Sequence, residues 1–254
     1  MVEPKILREA QLIMLDILVE FDKICRKHNL KYWLDSGTLL GAVRHGGFIP
    51  WDDDIDISMP LEDYKKFEKI ALNELSDTIF FQTNTTDPKF PFDYIKLRSN
   101  RAKIVEFHEK GKEIKYHQGV FVDIFPMLNI PNSEFHYKFY SDIFALIRRV
   151  SAKSLHTPDG KDMPKIRHQL QNSLLLMHQK GESKVIYGGE MPDVSAWFDY
   201  DKIFPLQEMR FEGINFYVPN DPHHYLENIY SFNYMELPPP EGRVTHAHSM
   251  EVVE

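Results

Sequence analysis

The chain contains 254 residues, of which 43% are hydrophobic and 27% are charged, a balance typical of a globular protein with a sizeable core. Its formal net charge of -8 at pH 7 argues against binding to nucleic acid through bulk charge, so no nucleic-acid partner is expected. Cys25 is the single cysteine, which excludes an internal disulfide and a cysteine-only zinc site and favours a reducing compartment.

The first residues are not expected to form a secretory signal. Its first ten residues, MVEPKILREA, lack the apolar core of a secretory signal peptide. No uncharged apolar stretch approaches the roughly 20 residues that span a bilayer. We therefore expect a cytoplasmic protein, with peripheral contact at the inner face of the membrane left open.

The first elements alternate between helix and strand. Residues 17–28 repeat apolar side chains at helical spacing, and Asn29 is the expected stop. The stretch KYWLDSGTLLGAVRHGGFIP (31–50) predicts a short strand, a tight turn that opens a helix, and a loop. A second amphipathic helix is predicted after Pro60.

The rest of the chain predicts more strands and a helical part. Beta-rich segments lie at 78–83, 94–99, 102–107, 119–126 and 214–219, and helical patterns lie at 133–153 and about 163–180. The stretch LPPPEGRVTHAHSM (237–250) is predicted to be irregular through its prolines. Together these elements predict an α/β (α+β) fold, as one domain over 1–254 with a helical insertion at about 133–180.

The stretch WDDDIDISMP (51–60) is the first candidate site. Asp54, Ile55, Asp56 and Ile57 alternate with period two, which predicts a strand with its carboxylates on one face. Carboxylates at i and i+2 lie close enough to bind one cation, and oxygen ligands suit a hard divalent ion. Mg²⁺ is therefore the expected cofactor, with Mn²⁺ as the alternative.

Two other interpretations compete for these acids. A calcium loop of the EF-hand type fits Asp52, Asp54 and Asp56 at positions 1, 3 and 5, but Ile57 replaces the glycine required at position 6 and Asp63 replaces the glutamate at position 12. A solvated acidic turn is the ordinary explanation for an isolated Asp-x-Asp.

Two further stretches favour a phosphate and metal site. Gly37 and Thr38 precede a helical pattern, where a close backbone approach and free N–H groups favour an anion. Asp123 lies in the apolar run GVFVDIFP and needs a partner if that strand is buried. A metal, a structural hydrogen bond and an arginine pair each satisfy this need.

These stretches resemble a known family. YWLDSGTLLGAVRHGGFIPWDDDIDISMP (32–60) strongly resembles the signature of the LicD family, to which the fukutin-related proteins are related. GVFVDIFP and YMELPPPEGRVTHAHS look like the second and last blocks of that family. The resemblance is densest at 32–64 and thin between about 130 and 210.

The resemblance implies a fold, a reaction and a ligand set. The fold would be that of the nucleotidyltransferases, a short mixed sheet flanked by helices. Gly37 with Thr38, then Asp54 with Asp56, and finally Asp123 fit the glycine turn, the Asp-x-Asp strand and the third carboxylate of that superfamily. The reaction would be transfer of phosphocholine from CDP-choline to a sugar hydroxyl of a cell-surface glycan or glycolipid, such as a teichoic acid or lipooligosaccharide.

Several nearby residues are candidates for substrate binding. Arg44 and His45 lie between the glycine turn and the acidic strand, where they are expected to contact phosphate or acceptor; pairing of Arg44 with the aspartates is the alternative. Trp51 is suited to cover a choline headgroup by cation–π contact, or to pack in the core. Lys96 is a candidate for neutralising leaving-group charge, although a strand lysine is more often solvated.

The tail motif GRVTHAHS adds Arg243, His246 and His248. The His-x-His pair lacks further clustered ligands, so we expect Arg243 and His246 to line the substrate pocket or to support the metal ligands.

Three functions remain open from the sequence. The first is a Mg²⁺-dependent phosphocholine transferase. The second is transfer of another phosphoalcohol, such as ribitol phosphate, or of a nucleotidyl group, with the same metal centre. The third is a non-catalytic nucleotide-binding protein, against which the intact set of carboxylates argues.

Overall fold

In a computed structural model the protein is described over residues 2–156, 163–179, 184–188 and 197–253. The helices of these ranges are α1 (Pro4–Lys27), α2 (Ser36–His45), α3 (Leu61–Glu74), α4 (Glu134–His156), α5 (Met163–Leu175), α6 (Tyr200–Ile203) and α7 (Pro222–Tyr230). The strands are β1 (Trp33–Leu34), β2 (Asp56–Pro60), β3 (Ile79–Gln82), β4 (Ile95–Glu106), β5 (Gly119–Ile130), β6 (Lys184–Tyr187), β7 (Phe198–Asp199), β8 (Gln207–Phe211), β9 (Ile214–Val218) and β10 (Ala247–Val252).

Most strands join one mixed sheet. Its central path is β1-β2-β5-β4-β10, with β3 beside β4 and with β6 between β5 and β7. β2 and β5 are parallel, and Asp56 lies opposite Asp123. The other described pairings are antiparallel, and β8 and β9 form a separate hairpin. The predicted α+β class, with a mixed sheet flanked by helices, is confirmed.

Helix α1 supplies the apolar layer over this sheet. Its apolar side chains recur at helical spacing, and residues such as Leu18 and Phe21 are fully buried where the helix crosses β4, β5 and β10. The helix ends at Lys27, two residues before the expected stop. Asn29 adopts a φ of +53°, the left-handed conformation that asparagine tolerates just beyond a helix.

A second apolar cluster lies under the helices of the 133–180 region. α4 and α5 pack together and bury Tyr140, Phe144 and Leu174 against Leu128 of β5 and Ile186 of β6. The first half of β5 belongs to the main core instead. One strand therefore runs through both clusters and fixes the helical part relative to the site.

Three sequence predictions of local structure are wrong in detail. β2 begins at Asp56, so Asp54 precedes the strand, and the segments 94–99 and 102–107 form one continuous strand. The tail is not irregular throughout, because beyond the prolines β10 finds hydrogen-bonding partners on β4. Among the described helices, none has the length and apolarity needed to cross a membrane.

Candidate active site

Asp56 and Asp123 lie side by side where β2 and β5 begin to pair, and Asp54 is close enough to act on both through its charge. The N–H of Asp123 donates to the carbonyl of Ile55 at 2.8 Å, which fixes Asp56 beside Asp123. Burial raises the pKa of Asp56 well above its ordinary value, and the charges of Asp54 and Asp123 raise it further. Burial also raises the pKa of Asp123 to about 6, against the attraction of Lys96. The predicted trio is thus one electrostatic group.

Lys96 is buried beside Asp123, so the alternative that it is a solvated strand lysine is wrong. Its Nζ donates to Oδ2 of Asp123 at 2.9 Å, and the two side chains are 2% and 8% exposed. The same ammonium lies 3.2 Å from the ring centre of Phe121, a cation–π contact. Oδ1 of Asp123 is buried and has no hydrogen-bond partner in the described part of the chain. Lys96 therefore holds Oδ2 of Asp123, and Oδ1 is available to bind a ligand.

The turn into α2 holds the acidic strand from the side. Thr38 Oγ1 accepts the N–H of Asp56 at 2.9 Å, while the N–H of Asp35 donates to the carbonyl of Asp56 at 3.0 Å. Gly37 permits a close approach, because a Cβ at this position would lie 3.1 Å from Oδ2 of Asp52. The predicted glycine turn and the predicted Asp-x-Asp segment are therefore in contact.

Asp35 was missed by the sequence reasoning. It is fully buried at the N-cap of α2, and its carboxylate accepts hydrogen bonds from the Ser36 N–H, the Ser58 hydroxyl and the Tyr187 hydroxyl. Burial raises the pKa of Asp35, while these hydrogen bonds lower it. Ser36 has a φ of +44°, uncommon for a residue other than glycine, and this network holds it there. An aspartate just before a helix start was the available signal.

Asp53, also missed, fastens the tail to the acidic segment. Its Oδ2 accepts the N–H groups of His246 at 2.8 Å and Ala247 at 2.6 Å. The His246 imidazole lies 3.2 Å from both Asp53 Oδ1 and Asp54 Oδ2. Hydrogen bonds to these two carboxylates raise the pKa of His246 to about 12. The structure therefore brings His246 to the predicted site, although 193 residues separate it from Asp53.

The segment 231–246, here called the strap, also touches the remaining candidates. Arg44 Nη1 donates to the carbonyls of Tyr234 at 2.9 Å and Glu236 at 3.1 Å, and among the described residues it forms no ion pair with an aspartate. His45 lies edge-on to Trp51, and the Arg243 guanidinium covers the Trp51 ring at 4.3 Å from its centre. Arg44 and Trp51 thus contact the strap, Arg243 belongs to it, and His45 packs against Trp51.

The group of acids fits a hard divalent cation. Burial raises the pKa of Asp52 as well as that of Asp56, and neighbouring carboxylates raise both values further. A bound cation relieves this repulsion, and oxygen ligands are those that Mg²⁺ prefers. The buried Oδ1 of Asp123 supplies a ligand atom that no other described group uses. Among the described residues, the ligand atoms of Asp53, Asp54 and His246 lie within 4.8 Å of one another.

A cleft of about 730 Å³ lies away from the candidate site, between the end of α1 and the α6–β9 region. Arg26, Lys31, Phe204 and Tyr217 are among the residues that line it, and none of the acids at 52–56 or in β5 does. The chemistry of the carboxylates, and not cleft size, marks the candidate site.

Comparison with known families finds a match to part of the chain. A family model described as LicD/FKTN/FKRP, nucleotidyltransferase domain, matches residues 29–146, which include α2, the acidic segment, Lys96 and Asp123. Over this part, just under half of its length, the chain is similar to the LicD family.

Individual relatives extend the likeness along the chain. The lipopolysaccharide cholinephosphotransferase LicD of Haemophilus influenzae is 29% identical over 94% of this chain and 95% of its own length. The ribitol 5-phosphate transferase FKRP of Homo sapiens is 51% identical over 50 residues, which are 20% of this chain and 10% of that protein. The uncharacterized protein RT0683 of Rickettsia typhi is 44% identical over 26% of this chain and 21% of its own length.

Proposed function

We propose that this protein is a Mg²⁺-dependent transferase that moves phosphocholine from CDP-choline to a sugar hydroxyl of a cell-surface glycan or glycolipid. The observation that carries the proposal is the pairing of Asp56 with Asp123 beside the charge of Asp54, together with Oδ1 of Asp123, which is buried and has no hydrogen-bond partner among the described residues. The likeness to a cholinephosphotransferase over most of both chains supports the choice of headgroup. A single cysteine suits a cytoplasmic location for the reaction.

In this proposal the acids, Lys96 and the first turn of α2 have different roles. Asp54, Asp56 and Oδ1 of Asp123 would hold Mg²⁺, which supplies neutralisation of the diphosphate charge when bound. Lys96 fixes Asp123 so that this oxygen faces the site. The first turn of α2, at Gly37 and Thr38, presents backbone N–H groups to a phosphate.

The transfer reaction requires no covalent bond between the protein and the phosphoryl group. The acceptor oxygen attacks the phosphorus that carries choline, the P–O bond to CMP breaks, and the hydroxyl proton passes to a base. Asp123 is the alternative candidate for that base: its carboxylate, whose pKa burial raises to about 6, would then accept the proton instead of holding Mg²⁺. In-line positioning of the reactants and neutralisation of their charge would account for the rest of the rate enhancement.

A second candidate is transfer of ribitol phosphate from a nucleotide donor. The 51% identity to a ribitol 5-phosphate transferase over 50 residues favours it, as does the Trp51 ring being covered by Arg243 instead of open to choline. The metal site would be unchanged, and the headgroup pocket alone would differ.

The test is CMP release from CDP-choline and from CDP-ribitol, with Mg²⁺ or with EDTA, in the presence of crude glycan acceptor. Asp56→Asn keeps the shape of the side chain and should reduce CMP release by at least about 100-fold, as expected for loss of a ligand of the metal ion that neutralises the transferring phosphate. Asp16→Asn, at an exposed aspartate of α1, is the matched control and should remain active. Substantial activity of Asp56→Asn, or equal release in EDTA, would refute the proposal.

A further inference from the structure

The Trp51 ring has its face occupied by a cation of the chain itself. The Arg243 guanidinium carbon lies 4.3 Å from the ring centre, and His45 packs against the same indole edge-on at 6.5 Å. Trp51 is half-buried, while Arg243 is exposed. A guanidinium at this distance is held by cation–π attraction, so the Trp51 ring already makes the kind of contact that a choline headgroup would require.

Arg243 is exposed, so solvent and ligands can reach its side chain. A guanidinium carries five N–H donors in a fork that matches phosphate oxygens, and contact of its face with a ring does not use them. Within the described ranges its guanidinium forms no ion pair with a carboxylate, although three residues later His246 contacts Asp53 and Asp54. An exposed cation that is not paired with a carboxylate is suited to bind an anion such as a phosphate.

The strap is fastened on both sides of this arginine. Arg44 holds the carbonyls of Tyr234 and Glu236, and Asp53 holds the N–H groups of His246 and Ala247. Pro238–Pro240 lie between the two anchors and restrict the backbone. The position of Arg243 is therefore set by the strap at its backbone and by Trp51 at its side chain.

We propose that Arg243 binds a phosphate of the nucleoside diphosphate donor, and that Trp51 is a positioning residue for Arg243 rather than the reader of the headgroup. The inference rests on the proposed function in that the ligand is a nucleoside diphosphate. In this proposal Trp51 has the same role whatever the headgroup of the donor, and another part of the pocket recognises the headgroup.

The experiment measures binding of CDP, which has no headgroup, by calorimetry with Mg²⁺. Arg243→Ala should weaken CDP binding by about 10- to 100-fold, the usual effect of losing a charge-assisted hydrogen bond. Trp51→Leu should weaken it by about 2- to 5-fold, and Trp51→Phe by less, as expected for an exposed cation–π contact. In the Arg243→Ala background, Trp51→Leu should add little, because the two residues act through one contact. Arg210→Ala, at an exposed arginine of β8, is the matched control.

Two results would overturn the inference. One is CDP binding that Arg243→Ala leaves unchanged, or that the wild-type protein does not show at all. The other is a Trp51→Leu effect that appears with CDP-choline but not with CDP or CDP-ribitol, and that persists without Arg243, since this would make the ring a choline site. If the wild-type protein binds CDP through Arg243 but releases no CMP from either donor, the inference holds and the proposed transferase function fails.

Discussion

Replacing Lys96 with methionine removes the cation that holds Asp123 and leaves the volume of the side chain nearly unchanged. The ion pair is 2.9 Å long and almost fully buried. Breaking such a pair costs about 3–5 kcal/mol, because the remaining charge has no compensation. We therefore expect the free energy of unfolding of Lys96→Met to fall by that amount at pH 7.5.

The loss should depend on pH in a known direction. The folded-state pKa of Asp123 is already raised to about 6, and without Lys96 it rises further. The folded variant then binds more protons than the unfolded chain above about pH 4, so its stability falls as pH rises. At pH 5 Asp123 is largely protonated in both proteins, and the loss should be smaller than at pH 7.5 by up to about 2 kcal/mol.

Urea unfolding in EDTA at pH 5 and pH 7.5 measures both values. Lys103→Met, at an exposed lysine of the same strand, should change stability by less than about 0.5 kcal/mol. Adding Asp123→Asn to Lys96→Met should recover most of the loss, since no buried charge remains. A loss below about 1 kcal/mol at pH 7.5, or equal losses at the two pH values, would refute this account of the pair.

Two further predictions concern the metal and the buried network. The metal-free protein should lose unfolding free energy, relative to Asp123→Asn, as pH rises from about 4 to about 6, because Asp123 keeps its proton longer in the folded state. Mg²⁺ should consequently raise the melting temperature more at pH 8 than at pH 5, and equal shifts would argue against carboxylate ligands. Tyr187→Phe removes a hydrogen bond to buried Asp35 and should cost about 1.5–3 kcal/mol in chemical denaturation. Tyr200→Phe, at a half-buried tyrosine, serves as its control, and a similar effect in both variants would contradict the role given to Asp35.

The acidic trio was predictable because its signals are local. Asp54 and Asp56 alternate with isoleucine, and Asp123 interrupts an apolar run, so each is out of place in its own segment. Their meeting follows from the parallel pairing of β2 with β5, a topology that the periodicity alone does not specify. The assignment of these acids to a metal stays a prediction until binding is measured.

The burial of Lys96, the hydrogen-bond network around Asp35 and strand β10 could not be predicted from local patterns. Lys96 is buried because β4 lies inside the sheet, between β5 and the strands β3 and β10, under the cover of α1. The network around Asp35 joins Ser58 and Tyr187, which are 23 and 152 residues away and ordinary in their own segments. β10 was missed because proline content describes the start of the tail and not the strand partner that its end reaches.

The bond between Asp53 and Ala247 also has a consequence for biosynthesis. Its two residues are 194 positions apart, so at about 5–20 residues per second the acidic segment is made roughly 10–40 s before the backbone that closes against it. Through that interval the nascent chain carries the carboxylates without the strap, His246 or Arg243. Competence to hold a nucleotide is therefore expected to appear abruptly and late, and a ribosome stalled short of residue 246 should display a folded sheet that binds no donor.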